Sequence, residues 1–110
     1  MQDHFRISLL LDFYGPLLTN RQFEVLDLYF NQDLSLGEAA DQLGITRQGV
    51  HAYVRKARSI LEGYEDKLGL VERYEKGKAV MGIALSRLDE ARVEDAKALL
   101  KELLAEDGGF

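Results

Sequence analysis

Cysteine is absent from the 110 residues of this sequence. That excludes disulfides and any thiolate metal site. Histidine is almost as scarce: His4 and His51 fall in separate elements, and neither has a cysteine or an H-x-x-x-H neighbour. No metal ligand set can be assembled from them, and no cofactor is expected. No apolar run approaches the roughly 20 residues that span a bilayer, so no membrane insertion is expected. The polar and charged N-terminus does not read as a signal peptide, which gives a cytoplasmic expectation. Alternating β-branched runs are missing, and without strands there is no strand-borne glycine loop to cradle phosphate. Acidic neighbours such as Glu65-Asp66 and Asp89-Glu90 sit side by side on helix surfaces, where solvation is their ordinary fate. The absences leave an all-α protein that is not an enzyme.

What is present is helical periodicity, and a hydrophobic content of 46% is enough for a core. Phe5, Leu9 and Phe13 recur at i, i+4 and i+8, with Ile7, Leu10, Leu11 and Tyr14 widening the stripe, which predicts a helix over 2–14. Gly15-Pro16 ends it, because proline cannot continue the hydrogen-bond ladder; this is the single proline of the chain. Thr19 with Gln22 three residues on is a capping box, and Leu18 with Phe23 is the matching hydrophobic staple. Phe23, Leu26, Tyr29 and Phe30 carry that helix to about residue 31. Asn31-Gln32-Asp33 is a polar turn.

The stretch Leu34–Leu61, LSLGEAADQLGITRQGVHAYVRKARSIL, has the grammar of a helix-turn-helix. Ser35 and Glu38 form a second capping box, and Ala39 and Ala40 are small enough for close helix approach. Gly44 stands where a left-handed cap is wanted. Ile45 plugs the turn, Thr46 caps the next helix, and Val50 pins that helix onto the first. The second helix opens with Arg47 and Gln48, followed by His51 and Arg55, the positions that face the groove in a DNA reader. Its stripe of Val50, Tyr53 or Val54, Ala57, Ile60, Leu61 and Tyr64 runs unbroken to Gly69, a helix of roughly 22 residues.

Net charge is −5, which argues against indiscriminate nucleic-acid binding. The distribution says more. Residues 1–43 carry seven acids against two bases, and residues 62–110 carry twelve against eight. Residues 44–61 carry Arg47, Arg55, Lys56 and Arg58 and no acid. The positive surplus therefore lies wholly on the second helix of the motif, as a small, directed phosphate contact requires. A solvated helix face would carry the same charges.

From Val71 a heptad-like rhythm of Tyr74, Lys78, Met81, Leu85 and Leu88 predicts an amphipathic helix, weakened by Gly77 and Gly82. After a turn at Asp89–Arg92, a last helix presents Val93, Ala96, Leu99, Leu100, Leu103 and Leu104 on one face. These faces need cover, and a homodimer through the C-terminal helices is expected. The organisation read from the sequence is an N-terminal helix (1–16), a helix-turn-helix core with a long third helix (17–68), a C-terminal helical arm (69–106) and a loose tail (107–110).

Leu18–Leu61, through LTNRQFEVLDLYF and the motif itself, resembles region 4 of the sigma-70 class of transcription factors. A wider resemblance takes in ISLLLDFYGPLLTNRQ, SLGEAADQLGITRQGVH and ILEGYEDKLGLVERYE, which look like the small YlxM family of helix-turn-helix proteins. The family's DFYGPLLT segment is present as Asp12–Thr19, and its RQ-V-H/Y block falls on Arg47, Gln48, Val50 and His51. Its EKL segment falls on Glu65, Asp66, Lys67 and Leu68, with aspartate inserted. The last 20 residues are less diagnostic. The resemblance implies a trihelical, winged-helix-free core and a regulatory role beside the bacterial signal recognition particle, exerted through the particle's RNA or its GTPase.

Two readings follow. In one, the protein modulates the particle, with Arg47, Gln48, His51, Arg55, Lys56 and Arg58 on RNA phosphates. In the other it is a transcription regulator that sets Arg47 and Gln48 on DNA base edges and Arg55 on phosphate. A third, blander possibility makes the motif a scaffold and the acidic helices a protein-binding surface.

Overall fold

A computed structural model of the chain describes residues 2–106; the loose tail expected at 107–110 lies outside the described residues. The described residues form helices and turns and no strand. In order they are α1 (Gln2–Tyr14), a 3-10 turn (Gly15–Leu17), α2 (Asn20–Leu26) running into a π-helical turn (Asp27–Asn31), α3 (Leu36–Leu43), α4 (Arg47–Leu68), α5 (Leu70–Asp89) and α6 (Val93–Glu106). The chain divides into two compact units, Met1–Val71 and Glu72–Phe110.

In the first unit the local signals act as their chemistry dictates. The Thr19–Gln22 and Ser35–Glu38 capping boxes both close reciprocally, satisfying helix-end N–H groups that have no intrahelical partner. Gly44 and Gly69 take left-handed conformations at φ 70° and 63° and end α3 and α4, a backbone region that glycine enters without a Cβ penalty. Two apolar clusters fill the unit. Ile7, Leu10, Leu11, Tyr14, Leu18, Leu26, Phe30, Ala57, Leu61 and Val71 join α1 to α2 and α4. Val25, Ala39, Ala40 and Val50 form the seat of the helix-turn-helix, where the two alanines let α4 lie close against α3.

The roll of α1 departs from the expected stripe. Phe5 is 63% exposed and Phe13 is also at the surface, while Ile7, Leu10, Leu11 and Tyr14 are buried. Two polar anchors set that roll. Arg6 grips the Glu62 carboxylate with two bonds of 2.9 Å. Tyr14 donates its hydroxyl to the buried Glu65 Oε1 at 2.6 Å and accepts the Leu70 N–H at 3.0 Å. Glu65 Oε1 also accepts the Val71 N–H at 3.0 Å, so two orphan donors at the start of α5 are capped from other helices. Among the described residues, no buried side-chain nitrogen or oxygen lacks a partner.

Gly15 has a packing role. A Cβ there would stand 2.8 Å from the Phe23 ring, so the glycine makes room for an aromatic lying over the turn. The helix expected to run to residue 31 does continue, but its last turn is π rather than α. Asp27 accounts for it: its carboxylate accepts from Asn31 Nδ2 at 2.8 Å and Gln32 Nε2 at 2.9 Å, and its carbonyl accepts the Gln32 N–H at 3.0 Å. The widened turn brings Leu28 and Phe30 inward, and such single-turn π segments are uncommon.

In the second unit, α5 and α6 are joined by the turn at Glu90–Arg92, where Ala91 takes φ 60°. Arg92 pairs with Glu90 at 3.5 Å and Asp95 at 2.5 Å. The expected seam is turned outward: Tyr74, Met81, Leu85 and Leu88 are exposed, and the buried positions are Gly77, Ala84 and Ala96. An apolar groove of about 460 Å³ opens between Tyr74, Gly77 and Met81 of α5 and Leu100, Leu103 and Leu104 of α6.

Tyr14→Phe removes a buried donor from Glu65 and an acceptor from the Leu70 N–H. It should destabilise the first unit by about 1–3 kcal/mol, read as a lower urea midpoint at unchanged slope; an unchanged midpoint would show that the hydroxyl contributes nothing.

Candidate nucleic-acid interface

The geometry of the interface follows from how α4 is seated. Thr46 Oγ1 accepts the Gly49 N–H at 2.9 Å, so the first turn of α4 starts at a fixed point after the left-handed Gly44. Val50 is fully buried among Val25, Ala39 and Ala40. With Val50, Ala57 and Leu61 turned inward, helical periodicity leaves the opposite side of α4 facing solvent. That side carries Arg47, Gln48, His51 and Arg55, all exposed. Arg47, His51 and Arg55 follow one another at four-residue spacing and form one row, with Gln48 beside it.

The other two candidates are placed differently. Lys56 is exposed but sits on the flank, lining a shallow open groove of about 360 Å³ with Gly49, Ala52 and Tyr53. Arg58 continues the row three residues beyond Arg55 but is half-buried, one helical turn before the Glu62 that holds Arg6. The structure therefore exposes four of the six sequence-derived residues on one surface, sets Lys56 on its flank and leaves Arg58 half-buried at the C-terminal end of the row.

Electrostatically, the row lies at the N-terminal half of a 22-residue helix with no acidic residue in its first turn. Free N–H groups and the positive end of the helix dipole favour an anion at such a helix start. The neighbouring α3 carries two carboxylates, Glu38 and the exposed Asp41; the pKa of Glu38 lies below its usual value of 4.5 because it accepts the Ser35 backbone N–H and bonds the Ser35 side chain. Glu38 is thereby committed to the cap. No group of three or more His, Cys, Asp or Glu that could hold a metal occurs among the described residues.

Two contributors carry no local sequence signal, because both act through tertiary contacts. Arg21 reaches from α2 to the Leu43 carbonyl at 3.2 Å, placing a cation on the C-terminal end of α3 where carbonyls lack partners. Gly37, in the first turn of α3, faces the guanidinium of Arg47: a Cβ built on it would stand 3.0 Å from Nη2 and 3.1 Å from Cζ and Nε.

A capped short helix, a left-handed glycine turn and a longer helix seated by a buried valine, with its polar side outward, define a helix-turn-helix protein. Comparison with known proteins narrows the class. The family model described as "UPF0122: Putative helix-turn-helix protein, YlxM / p13 like" matches residues 1–101. A UPF0122 protein of Acetivibrio thermocellus is 47% identical over 104 residues, covering 90% of this chain and 89% of that protein. One from Symbiobacterium thermophilum is 42% identical over 106 residues, covering 96% and 99%. One from Desulforamulus reducens is 40% identical over 111 residues, covering 94% and 95%. The chain belongs to the UPF0122 family of YlxM/p13-like helix-turn-helix proteins.

The Ser35–Glu38 box gives a pH test of the α3 start. A carboxyl whose folded pKa is depressed contributes stability above its unfolded pKa, and loses it as pH falls through the folded value. Wild type should thus lose its advantage over Glu38→Gln as pH is lowered below about 4.5, followed by thermal midpoint; a constant gap across that range would remove the ionised cap.

Proposed function

We propose that this protein is a non-enzymatic regulator that binds nucleic-acid phosphates through the exposed row of α4, and that its ligand is the RNA of the bacterial signal recognition particle. The observation that carries the first part is the acid-free basic stretch on α4, with Arg47, Gln48, His51 and Arg55 on one solvent face and acidic segments on both sides of it in sequence. A net charge of −5 restricts favourable contact with a polyanion to that face. The particle enters through the YlxM resemblance, which supplies the partner but no geometry.

The A-form major groove is too narrow for a helix to read bases, so contact would be by shape and phosphate. Arg47 and Arg55 act as phosphate ligands, Gln48 and His51 as hydrogen-bonding neighbours, and Lys56 widens the charged edge. A transcription-regulator role, with Arg47 and Gln48 on duplex DNA, is the competing reading, drawn from the same surface. A titration of the particle's RNA and of random duplex DNA at two salt concentrations separates them. Tighter binding of the RNA than of the duplex at both salt concentrations supports the proposal; tighter binding of the duplex sinks it.

Arg47→Ala with Arg55→Ala should leave the thermal midpoint nearly unchanged, since both side chains are on the surface. It should lower nucleic-acid affinity and reduce the salt slope by about one for each phosphate no longer neutralised. Unaltered binding by the folded double variant would rule out the α4 row.

We further propose that the second unit pairs with another copy of the chain. Its exposed apolar side chains lie on both helices of an antiparallel hairpin, and a two-fold axis joining two hairpins into four helices buries such a surface on both copies at once. Light scattering at high concentration should give the mass of two chains; the mass of one chain would end that proposal.

A further inference from the structure

We infer that Gly37 is a positioning residue for Arg47: the first turn of α3 lacks a Cβ there so that the guanidinium can lie face-on against the helix, held in one place before any ligand arrives. The inference rests on the reading of α4 as a phosphate-binding face and specifies how its first arginine is presented.

The geometry is specific. Arg47 Nη2, Cζ and Nε, three atoms of one planar group, lie at nearly equal distances, 3.0, 3.1 and 3.1 Å, from the place a Cβ on residue 37 would occupy. Near-equal spacing from a single point means that the plane, rather than an edge, faces the glycine. The three atoms nearest that point all belong to Arg47, and Gly37 is not among the residues with positive φ. Neither a turn nor a core neighbour therefore calls for glycine at this position, although glycine is a poor helix former. What the missing Cβ does provide is a flat seat for the guanidinium.

A planar group resting on one face keeps its N–H donors at the edges, directed sideways into solvent, and Arg47 is an exposed residue. The edge is the part of arginine that forks onto phosphate oxygens. A long side chain normally surrenders rotamer freedom when it binds. One already laid against α3 has less to surrender, so the seat lowers the entropic penalty of phosphate contact. Restoring a Cβ would displace the guanidinium by a few tenths of an ångström and free the side chain, without touching the core.

The test pairs a ligand-free readout with a binding cycle. In nitrogen relaxation of the full chain, the Arg47 Nε–H should be more ordered than the Arg55 Nε–H, and should lose that difference in Gly37→Ala. The thermal midpoint of Gly37→Ala should be equal to or above that of wild type, because alanine favours the helix. Its affinity for the particle's RNA should fall by between about two- and tenfold, the cost of immobilising one such side chain. Gly37→Ala in an Arg47→Ala background should then have no further effect. Equal mobility of Arg47 and Arg55 in the wild type would overturn the inference. So would a Gly37→Ala effect of the same size with and without Arg47. If wild type binds neither that RNA nor duplex DNA, the phosphate-binding reading fails, while the relaxation measurement still decides whether Gly37 holds Arg47.

Discussion

The buried carboxylate of Glu65 is the constraint on which the first unit depends. A carboxylate removed from water is tolerable only when its lone pairs are satisfied, and this one takes the Tyr14 hydroxyl at 2.6 Å and the Val71 N–H at 3.0 Å. Those bonds tie the end of α1 to the last turn of α4 and the first residues of α5. Because Tyr14 must point inward to reach Glu65, α1 is rolled with Ile7, Leu10 and Leu11 in the core, and Phe5 and Phe13 are left at the surface. The Arg6–Glu62 pair holds the same roll from the other end of α1. The pair is solvent-exposed, so its value lies in geometry more than in energy.

With the far half of α4 anchored in this way, its near half is oriented by Val50 and the turn at Gly44. One 22-residue helix thus performs two tasks. One side closes both apolar clusters through Val50, Ala57 and Leu61, and the other carries the row Arg47, His51 and Arg55. The charges of the row lie where desolvation costs nothing, and Glu65, the charged residue that the packed side buries, has its hydroxyl and N–H partners beside it. Substitutions on the row can therefore change that surface without altering the fold, and substitutions at Val50 or Glu65 cannot.

The parts of this architecture that were legible in the sequence are those governed by bonds within a few residues. The Thr19–Gln22 and Ser35–Glu38 boxes, the Thr46 cap and the left-handed Gly44 and Gly69 each join neighbours along the chain. Their residue types name the geometry before any packing is known. The buried stripe of α4 was legible for a related reason, since its period matches the helix and its polar face is unambiguous. The charge surplus of residues 44–61 was likewise a matter of counting. The stripe of α1 was not legible in the same way, because apolar residues surround that helix and periodicity alone does not choose among them. The π turn at Asp27–Asn31 also escaped, since it arises when one aspartate gathers donors from Asn31 and Gln32.

By itself, then, the sequence determined an all-helical chain, the start and end of each helix of the core, the helix-turn-helix and the side of α4 that bears positive charge. Capping, helical period and charge are local properties, and local chemistry suffices for them. Tertiary structure alone decided which side of α1 is buried, which of six candidate side chains share a surface, and that the apolar seam of α5 faces outward around Gly77 and Ala84. It also decided that Gly37 lies beneath Arg47 and that Arg21 reaches the end of α3. These depend on residues ten to more than fifty positions apart, whose meeting is set by how whole helices pack. For the helix-turn-helix at the centre of this protein, sequence placed the arginines on a helix, and packing determined how the first of them is held.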